Sequence, residues 1–249
     1  GTSHYFGDGF ARAFDITFTD KDNKLTYPHQ TSWGVSTRVI GAIIMSHGDD
    51  NGLVLPPAVA PIQVVILPVA QHKPGVLEKA AELKDRLSKR FKVRLDDSDN
   101  SAGWKFAEYE MKGVPVRLEI GPRDIENNVC VLVTRHNREK TVVGLDGLED
   151  AVAAKLKEVR DGIYRKALDN LNRRTYKCTS IDEIKTALSD KGDGIVRAMW
   201  CGEEECEDKV KELTGVGSRC IPFDSEKISD KCVCCGRPAK HMVCWGVAY

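Results

Sequence analysis

Ile62-Gln63-Val64-Val65-Ile66-Leu67-Pro68-Val69 is a short, nearly unbroken run of β-branched and aliphatic residues. It lacks the polar alternation of a half-exposed strand, which predicts a strand buried on both faces. Just downstream, Val76, Ala80, Leu83, Leu87 and Phe91 recur at steps of four, three, four and four, the mark of a helix with one apolar face. Val93-Arg94-Leu95 reads as the next strand. Val116-Arg117-Leu118-Glu119-Ile120 alternates strictly, so Arg117 and Glu119 should share one face and the three aliphatics the other. Val129 to Val133 adds a further strand. Strand, helix, strand, helix, strand, strand predicts a small α/β sheet domain, bounded here at 60–146.

Working outward, residues 1–59 are rich in aromatics, Gly and Ser/Thr. Val39-Ile40-Gly41-Ala42-Ile43-Ile44-Met45 is expected as an apolar, hairpin-like stretch. Asn51-Gly52 signals a turn, and Pro56-Pro57 stops any strand before it. Residues 147–249 open on a long helix, with Leu148, Val152, Leu156, Val159, Ile163 and Ala167 on one face. Ser180-Ile181-Asp182-Glu183 is expected to cap a second helix. Gly194 to Trp200 predicts a strand that delivers Cys201 at its end. There is no internal repeat.

Of the 249 residues, 41% are hydrophobic and 30% charged, which excludes a disordered chain. No apolar run reaches the roughly 20 residues of a membrane-spanning helix. Lys+Arg and Asp+Glu are both 37, so no net field draws the chain to nucleic acid or membrane; any such contact must be local. The chain begins Gly-Thr-Ser-His, with no basic segment followed by an apolar one, so no secretory signal is expected in it.

The nine cysteines are Cys130, Cys178, Cys201, Cys206, Cys220, Cys232, Cys234, Cys235 and Cys244. An odd number, crowded toward one end, argues for a metal knuckle in a reducing, cytoplasmic compartment rather than a disulfide framework. Cys201-x4-Cys206 and Cys232-x2-Cys235 are two short-spaced pairs, each beside a glycine-bearing turn. Four soft ligands from two such knuckles suit a closed, structural Zn²⁺ site with no open coordination position. Cys234 competes with Cys232 on spacing, but Cys232 is preferred because a two-residue gap lets both sulfurs face one ion; Cys220, His241 and Cys244 are alternative ligands. A thiol redox pair, Cys232 with Cys235, is the rival reading, and reduced surface thiols without metal the plainest one.

Between Trp104 and Asp124, aromatic, basic and acidic residues interleave: Phe106, Glu110, Arg117, Arg123 and Asp124 among them. Single-stranded RNA is read by stacking on rings and by hydrogen bonds to base edges, and this mixture supplies both. From residue 71 to 124 there are 12 Lys+Arg against 10 Asp+Glu, so bulk phosphate affinity is not implied. Taken alone, this window reads as an amphipathic helix followed by an ordinary half-exposed strand.

Further motifs alter that balance. They are Gly1-Thr2-Ser3-His4, Phe10 to Ile16, Gln30 to Ala42, His47-Gly48-Asp49-Asp50, Gly52 to Pro57, Ala60 to Val65, Gly113-Val114-Pro115 and Gly121-Pro122-Arg123-Asp124. Together with the cysteine-bearing tail and terminal Tyr249, they closely resemble prolyl-tRNA synthetases of the archaeal/eukaryotic type, over essentially the whole chain. The resemblance implies a multidomain fold, α/β and α+β. The end of a class II antiparallel-sheet catalytic domain (1–59) would be followed by an α/β anticodon-binding domain (60–146) and a linker helix with a small α/β zinc-binding domain (147–249).

The resemblance implies roles as well. Arg38, in the third class II motif, would lie on the adenine ring and reach the γ-phosphate of ATP; a guanidinium suits this because it holds its charge and stacks on a purine. Thr2 and Thr37 would sit near the nucleotide, bound with Mg²⁺. His4 would belong to the proline pocket, with Ser32, Trp33 and Gly34 as its wall and floor. Phe106, Glu110, Arg117, Arg123 and Asp124 would contact the anticodon of tRNA(Pro), with Lys140 on a phosphate or base. Tyr249 would buttress the active site. The first two class II motifs are not found in the chain. The expectation is therefore a fragment of a proline-activating, tRNA-charging homodimer whose dimer contacts lie upstream, inactive by itself. The alternative is a non-catalytic, zinc-stabilised tRNA-binding module.

Overall fold

The computed structural model describes residues 1–189 and 194–247, so Tyr249 lies outside the described residues. The chain divides into two units, Gly1–Ile163 and Tyr164–Tyr249.

The first unit begins with β1 (Thr2–Gly7), α1 (Gly9–Ala13), β2 (Phe18–Thr19), β3 (Leu25–Thr26), β4 (Gln30–Gly34) and α2 (Arg38–His47). β1 and β4 form an antiparallel ribbon, and β2 and β3 a smaller one. This section is thinly covered: Phe14, Leu25, Trp33, Ile40 and Met45 are all exposed. The apolar run Val39–Met45, expected as a hairpin-like stretch, is instead the body of helix α2. A short, wholly apolar run carries no period that separates strand from helix. The Asn51-Gly52 turn forms as expected, with Asp49 and Gly52 exchanging both backbone hydrogen bonds at 3.0 Å.

Next come β5 (Val64–Pro68), α3 (Val76–Leu87), β6 (Val93–Leu95), α4 (Ala102–Met111), β7 (Val116–Ile120), α5 (Pro122–Glu126), β8 (Val129–Thr134), β9 (Lys140–Gly144) and α6 (Leu148–Arg173). They build a five-stranded mixed sheet in the order β6-β5-β7-β8-β9. β5 runs parallel to both neighbours, and β7, β8 and β9 alternate in direction. Every residue of β5 is buried, because the sheet is covered on both faces. On one face Val64, Ile66, Leu118 and Ile120 pack with Ala80, Leu83 and Leu87 of α3 and Val152 and Val159 of α6. On the other face Val65 and Leu67 pack with Tyr109 of α4. Helix α4 is also pinned by Lys105, 1% exposed, whose Nζ donates to Gln71 Oε1 at 2.9 Å and to the Asp96 carbonyl at 3.0 Å. Such a cation is tolerated in a core only with its donors satisfied.

The second unit takes in the end of α6, then β10 (Thr175–Lys177), α7 (Ile181–Ser189), β11 (Ile195–Trp200), α8 (Glu204–Thr214), β12 (Val216–Cys220) and β13 (His241–Val247). Its sheet order is β10-β11-β13-β12, with Trp245 fully buried among Val196, Ala198, Val210 and Val243. Helix α7 starts close to the capping pattern: the Glu183 amide donates to Ser180 Oγ at 3.2 Å, and the Glu183 carboxylate takes the amide of Thr179, one residue before the cap, at 2.6 Å. Among the described residues no helix is long and apolar enough to cross a membrane.

Candidate metal and RNA-binding sites

The cysteines come together through three chain segments. Cys201 follows the last residue of β11. Cys206 sits in the first turn of α8, whose helical rise accommodates the four-residue gap. Cys232 and Cys235 lie in a tight knuckle, in which the Cys232 amide donates to the Arg237 carbonyl at 2.8 Å and the Gly236 amide to the Cys232 carbonyl at 3.0 Å. Gly236 has φ +71°, a conformation that costs glycine no steric strain. Two bonds tie the knuckle to β11: Val233 amide to Met199 carbonyl and Lys240 amide to Trp200 carbonyl, each 2.8 Å.

The four sulfurs of Cys201, Cys206, Cys232 and Cys235 all lie within 4.8 Å of one another, and Cys201 Sγ is 3.9 Å from Cys235 Sγ. A tetrahedral zinc with bonds of about 2.3 Å spaces its sulfurs about 3.8 Å apart, so the donor set and its dimensions fit Zn²⁺. Arg237 faces the cluster, with Nε 3.3 Å from Cys235 Sγ. It holds the Cys235 thiol down to about 6, chiefly by that hydrogen bond, whereas burial pushes Cys206 up to about 11. A guanidinium beside sulfur ligands stabilises the thiolate form that a metal requires. Cys234 falls outside the four-sulfur set. Cys220 and Cys244 face each other across β12 and β13, and His241 packs by Trp200.

On the first unit, β7 and β9 and helix α4 frame a hollow of about 210 Å³. Glu110, Arg117, Arg135, Arg138 and Lys140 contribute its charged wall. The Arg117 guanidinium lies 4.3 Å from the centre of the Phe106 ring, and Lys140 Nζ lies 6.0 Å from it. Glu119 orients both cations, accepting from Arg117 Nε at 2.8 Å and Lys140 Nζ at 3.4 Å. Glu110 is ion-paired with Arg138 at 2.5 Å. The structure thus brings Phe106, Glu110, Arg117 and Lys140 together. Arg123 and Asp124 are not in the wall of this hollow: they belong to α5, beyond the far end of β7, and the four residue steps from Arg117 to Gly121 span about 13 Å. Asp124 is occupied at the start of α5, taking the Gly121 amide at 2.8 Å.

Arg135, Arg138 and Tyr109 were not among the expected residues. The signal for the two arginines was the basic Arg135-x-x-Arg138-x-Lys140 connection between two strands, which periodicity passes over. Arg135 is 5% exposed. Its two terminal nitrogens donate to the Asp49 carboxylate at 2.8 and 2.6 Å. The Arg135 guanidinium, as the main cause, holds Asp49 down to about 2. A depressed carboxylate stabilises the fold above its unfolded value of 3.8, and this contribution disappears as pH falls through about 2. Asp49 is partly exposed, so solvent screening reduces the expected contribution to on the order of 1 kcal/mol. Urea unfolding at pH 5 and pH 2.5 should show a smaller pH-dependent loss for Asp49→Asn than for the unaltered chain; equal losses would remove this pair from the acid response.

In the opening ribbon, Thr2 pairs with Gly34, His4 with Ser32 and Ser3 with Trp33. Directly opposed residues share a face and successive ones alternate. Thr2, His4, Ser32 and Gly34 therefore share one face, and Trp33 stands on the other, so the ribbon does not set Trp33 beside Ser32 and Gly34 in one wall. Thr37 immediately precedes α2, and Arg38 is its first residue; both are exposed.

Residues 181–249 match the family profile described as "Prolyl-tRNA synthetase, C-terminal", and residues 63–155 match the profile "Anticodon binding domain". Over all 249 residues, the chain is 61% identical to the proline–tRNA ligase of Ruminiclostridium cellulolyticum and 57% identical to that of Clostridium novyi. It is 55% identical to that of Clostridium botulinum strain Okra. In each case it spans 52% of the relative's length, about half of these curated proteins.

Proposed function

We infer that this chain, which belongs to the prolyl-tRNA synthetase family, supplies the RNA-reading and zinc-bearing half of a proline–tRNA ligase together with part of its nucleotide site. The observation that carries this reading is the hollow lined by Glu110, Arg117 and Lys140, where two cations and a carboxylate converge and Phe106 backs the Arg117 guanidinium. A guanine offers acceptors at O6 and N7 and donors at N1 and N2, and the hollow answers with Arg117, Lys140 and Glu110. The Arg117 guanidinium, itself stacked on Phe106, gives the base a planar surface to stack against. We assign this site to the G-G doublet of the tRNA(Pro) anticodon. Arg123 and Asp124 would serve a neighbouring nucleotide.

In the complete ligase the proline carboxylate attacks the α-phosphorus of ATP, releasing pyrophosphate. The 3′-terminal ribose hydroxyl of tRNA(Pro) then displaces AMP from the prolyl-adenylate. The protein's part is positioning and charge stabilisation. Arg38 would stabilise the departing pyrophosphate, with Mg²⁺ on the phosphates and Thr2 and Thr37 beside the nucleotide. His4, Ser32 and Gly34 would meet proline from one face of the ribbon, with Trp33 on the other. Tyr249 would buttress the pocket. Cys201, Cys206, Cys232 and Cys235 would hold one Zn²⁺, whose role is structural because four thiolates leave no site for substrate. The complete enzyme would act as a cytoplasmic homodimer whose contacts lie outside this chain.

The alternative, a tRNA-binding module without catalysis, is favoured by the exposure of Arg38, His4 and Trp33 beside a formed RNA hollow. Binding of an anticodon stem–loop tests the reading common to both. Arg117→Ala should weaken binding about 10-fold or more, the loss expected for one base-reading arginine. Replacing the G-G doublet by C-C should weaken it similarly. Equal affinity of the unaltered chain for both RNAs would remove the base-reading assignment. Prolyl-adenylate formation by the complete protein then separates ligase from module.

A further inference from the structure

Helix α2 carries Arg38 at one end and runs about 15 Å to its other end. None of its residues is buried, and its C-terminal end runs directly into the Asp49–Gly52 turn. Two residues past the helix stands Asp49, held bidentately by Arg135. The same guanidinium donates through Nε to the Glu110 carbonyl at 2.8 Å. One buried side chain therefore bridges the end of α2 and the residue of α4 whose carboxylate stands in the RNA hollow.

The backbone reinforces this bridge. The Leu53 amide donates to the Met111 carbonyl at 2.9 Å, and the Leu55 amide to the Gly113 carbonyl at 3.2 Å. Gly52 has φ +121°, and a Cβ there would sit 2.5 Å from the Met111 oxygen. Gly113 has φ +70°, and a Cβ there would sit 2.6 Å from the Leu53 carbonyl. The two segments touch main chain to main chain, so a shift in the end of α4 cannot be absorbed by side-chain rotation.

We propose that Arg135 and Asp49 are positioning residues that couple occupancy of the RNA hollow to the setting of helix α2, and through it to Arg38. This rests on the reading of the hollow as a base site. A base that takes over Glu110 releases it from Arg138 and reseats the end of α4. Arg135 carries that change to Asp49, because its rigid fork holds both partners at once. The link is a contiguous chain of hydrogen-bonded groups.

The test is hydrogen–deuterium exchange across residues 38–47 of this chain, with and without a saturating stem–loop RNA bearing the G-G doublet. Coupling of the usual size predicts that exchange there slows about five-fold or more when RNA binds. Asp49→Asn should bind the RNA within about three-fold of the unaltered affinity yet lose the slowing, a small binding change being the mark of a residue outside the hollow. Asp49→Glu, which keeps the ion pair, should retain part of it. RNA bound without slowing in the unaltered chain, or slowing that survives Asp49→Asn, overturns the joint while leaving the base site intact. Failure to bind RNA at all overturns the base site and the joint with it.

Discussion

Replacing any one of Cys201, Cys206, Cys232 or Cys235 by serine is expected to unfold the second unit at ordinary temperatures, and a strong chelator should do the same to the unaltered chain. Structural zinc in small metal-binding peptides is held by about 10–16 kcal/mol at neutral pH, as much as the whole stability of a typical domain. The second unit is small, and two of its three cysteine-bearing segments, the loop after β11 and the knuckle at 232–236, have little regular structure of their own. Removing one sulfur would also leave a loose ligand set beside Arg237, its charge no longer balanced by four thiolates. Circular dichroism and metal analysis check this: one zinc per chain, with loss of the Trp245 environment on chelation. A metal-free preparation with an unchanged melting curve in every serine variant would eliminate the zinc assignment, and ready oxidation of Cys232 with Cys235 would favour the redox reading. Serine at Cys234 should have little effect, because that residue stands outside the four-sulfur set.

The second large effect concerns Arg38. On the proposed reading of the complete protein as a ligase, Arg38→Ala should lower its ATP–pyrophosphate exchange by about 10²–10³, the loss that follows removal of one preorganised charge-stabilising group. Stem–loop binding should be unchanged, since the Arg38 side chain is not in the wall of the hollow. Lysine at this position should rescue poorly: an ammonium keeps the charge but neither stacks on a purine nor offers a planar fork. Exchange at the unaltered rate would show that this arginine does not meet the nucleotide, and the proposed ligase role of the opening ribbon would lose its main support.

Local patterns were legible wherever one face of an element is buried. The step of Val76, Ala80, Leu83 and Leu87 named the face of α3 that packs on the sheet, and Leu148 to Ile163 did the same for α6. Ser180 and Glu183 announced the start of α7 because capping is chemistry within four residues. The two-residue gap between Cys232 and Cys235 favoured Cys232 over Cys234, and the knuckle shows why: its backbone turn aims both sulfurs inward. The apolar run of α2 was ambiguous because it has no polar face to set a period. Trp33 was expected beside Ser32 and Gly34, yet strand pleating alone separates them. Arg135 and Asp49 meet across 86 positions of chain, and nothing in either neighbourhood names the other. Long-range pairing of charges is decided by how sheets and helices close, which local pattern does not encode.

The meshed glycines also govern how this molecule can be taken apart. A cut made in the Pro-rich stretch near Pro56 and Pro57, where composition invites one, would strip Gly52, Leu53 and Leu55 from the end of α4. It would expose the Met111 and Gly113 carbonyls and leave a cationic fork with no carboxylate. An engineer who wishes to move the five-stranded sheet onto another scaffold should carry the chain from Asp49 onward as its selvedge, or the fabric will ravel there first.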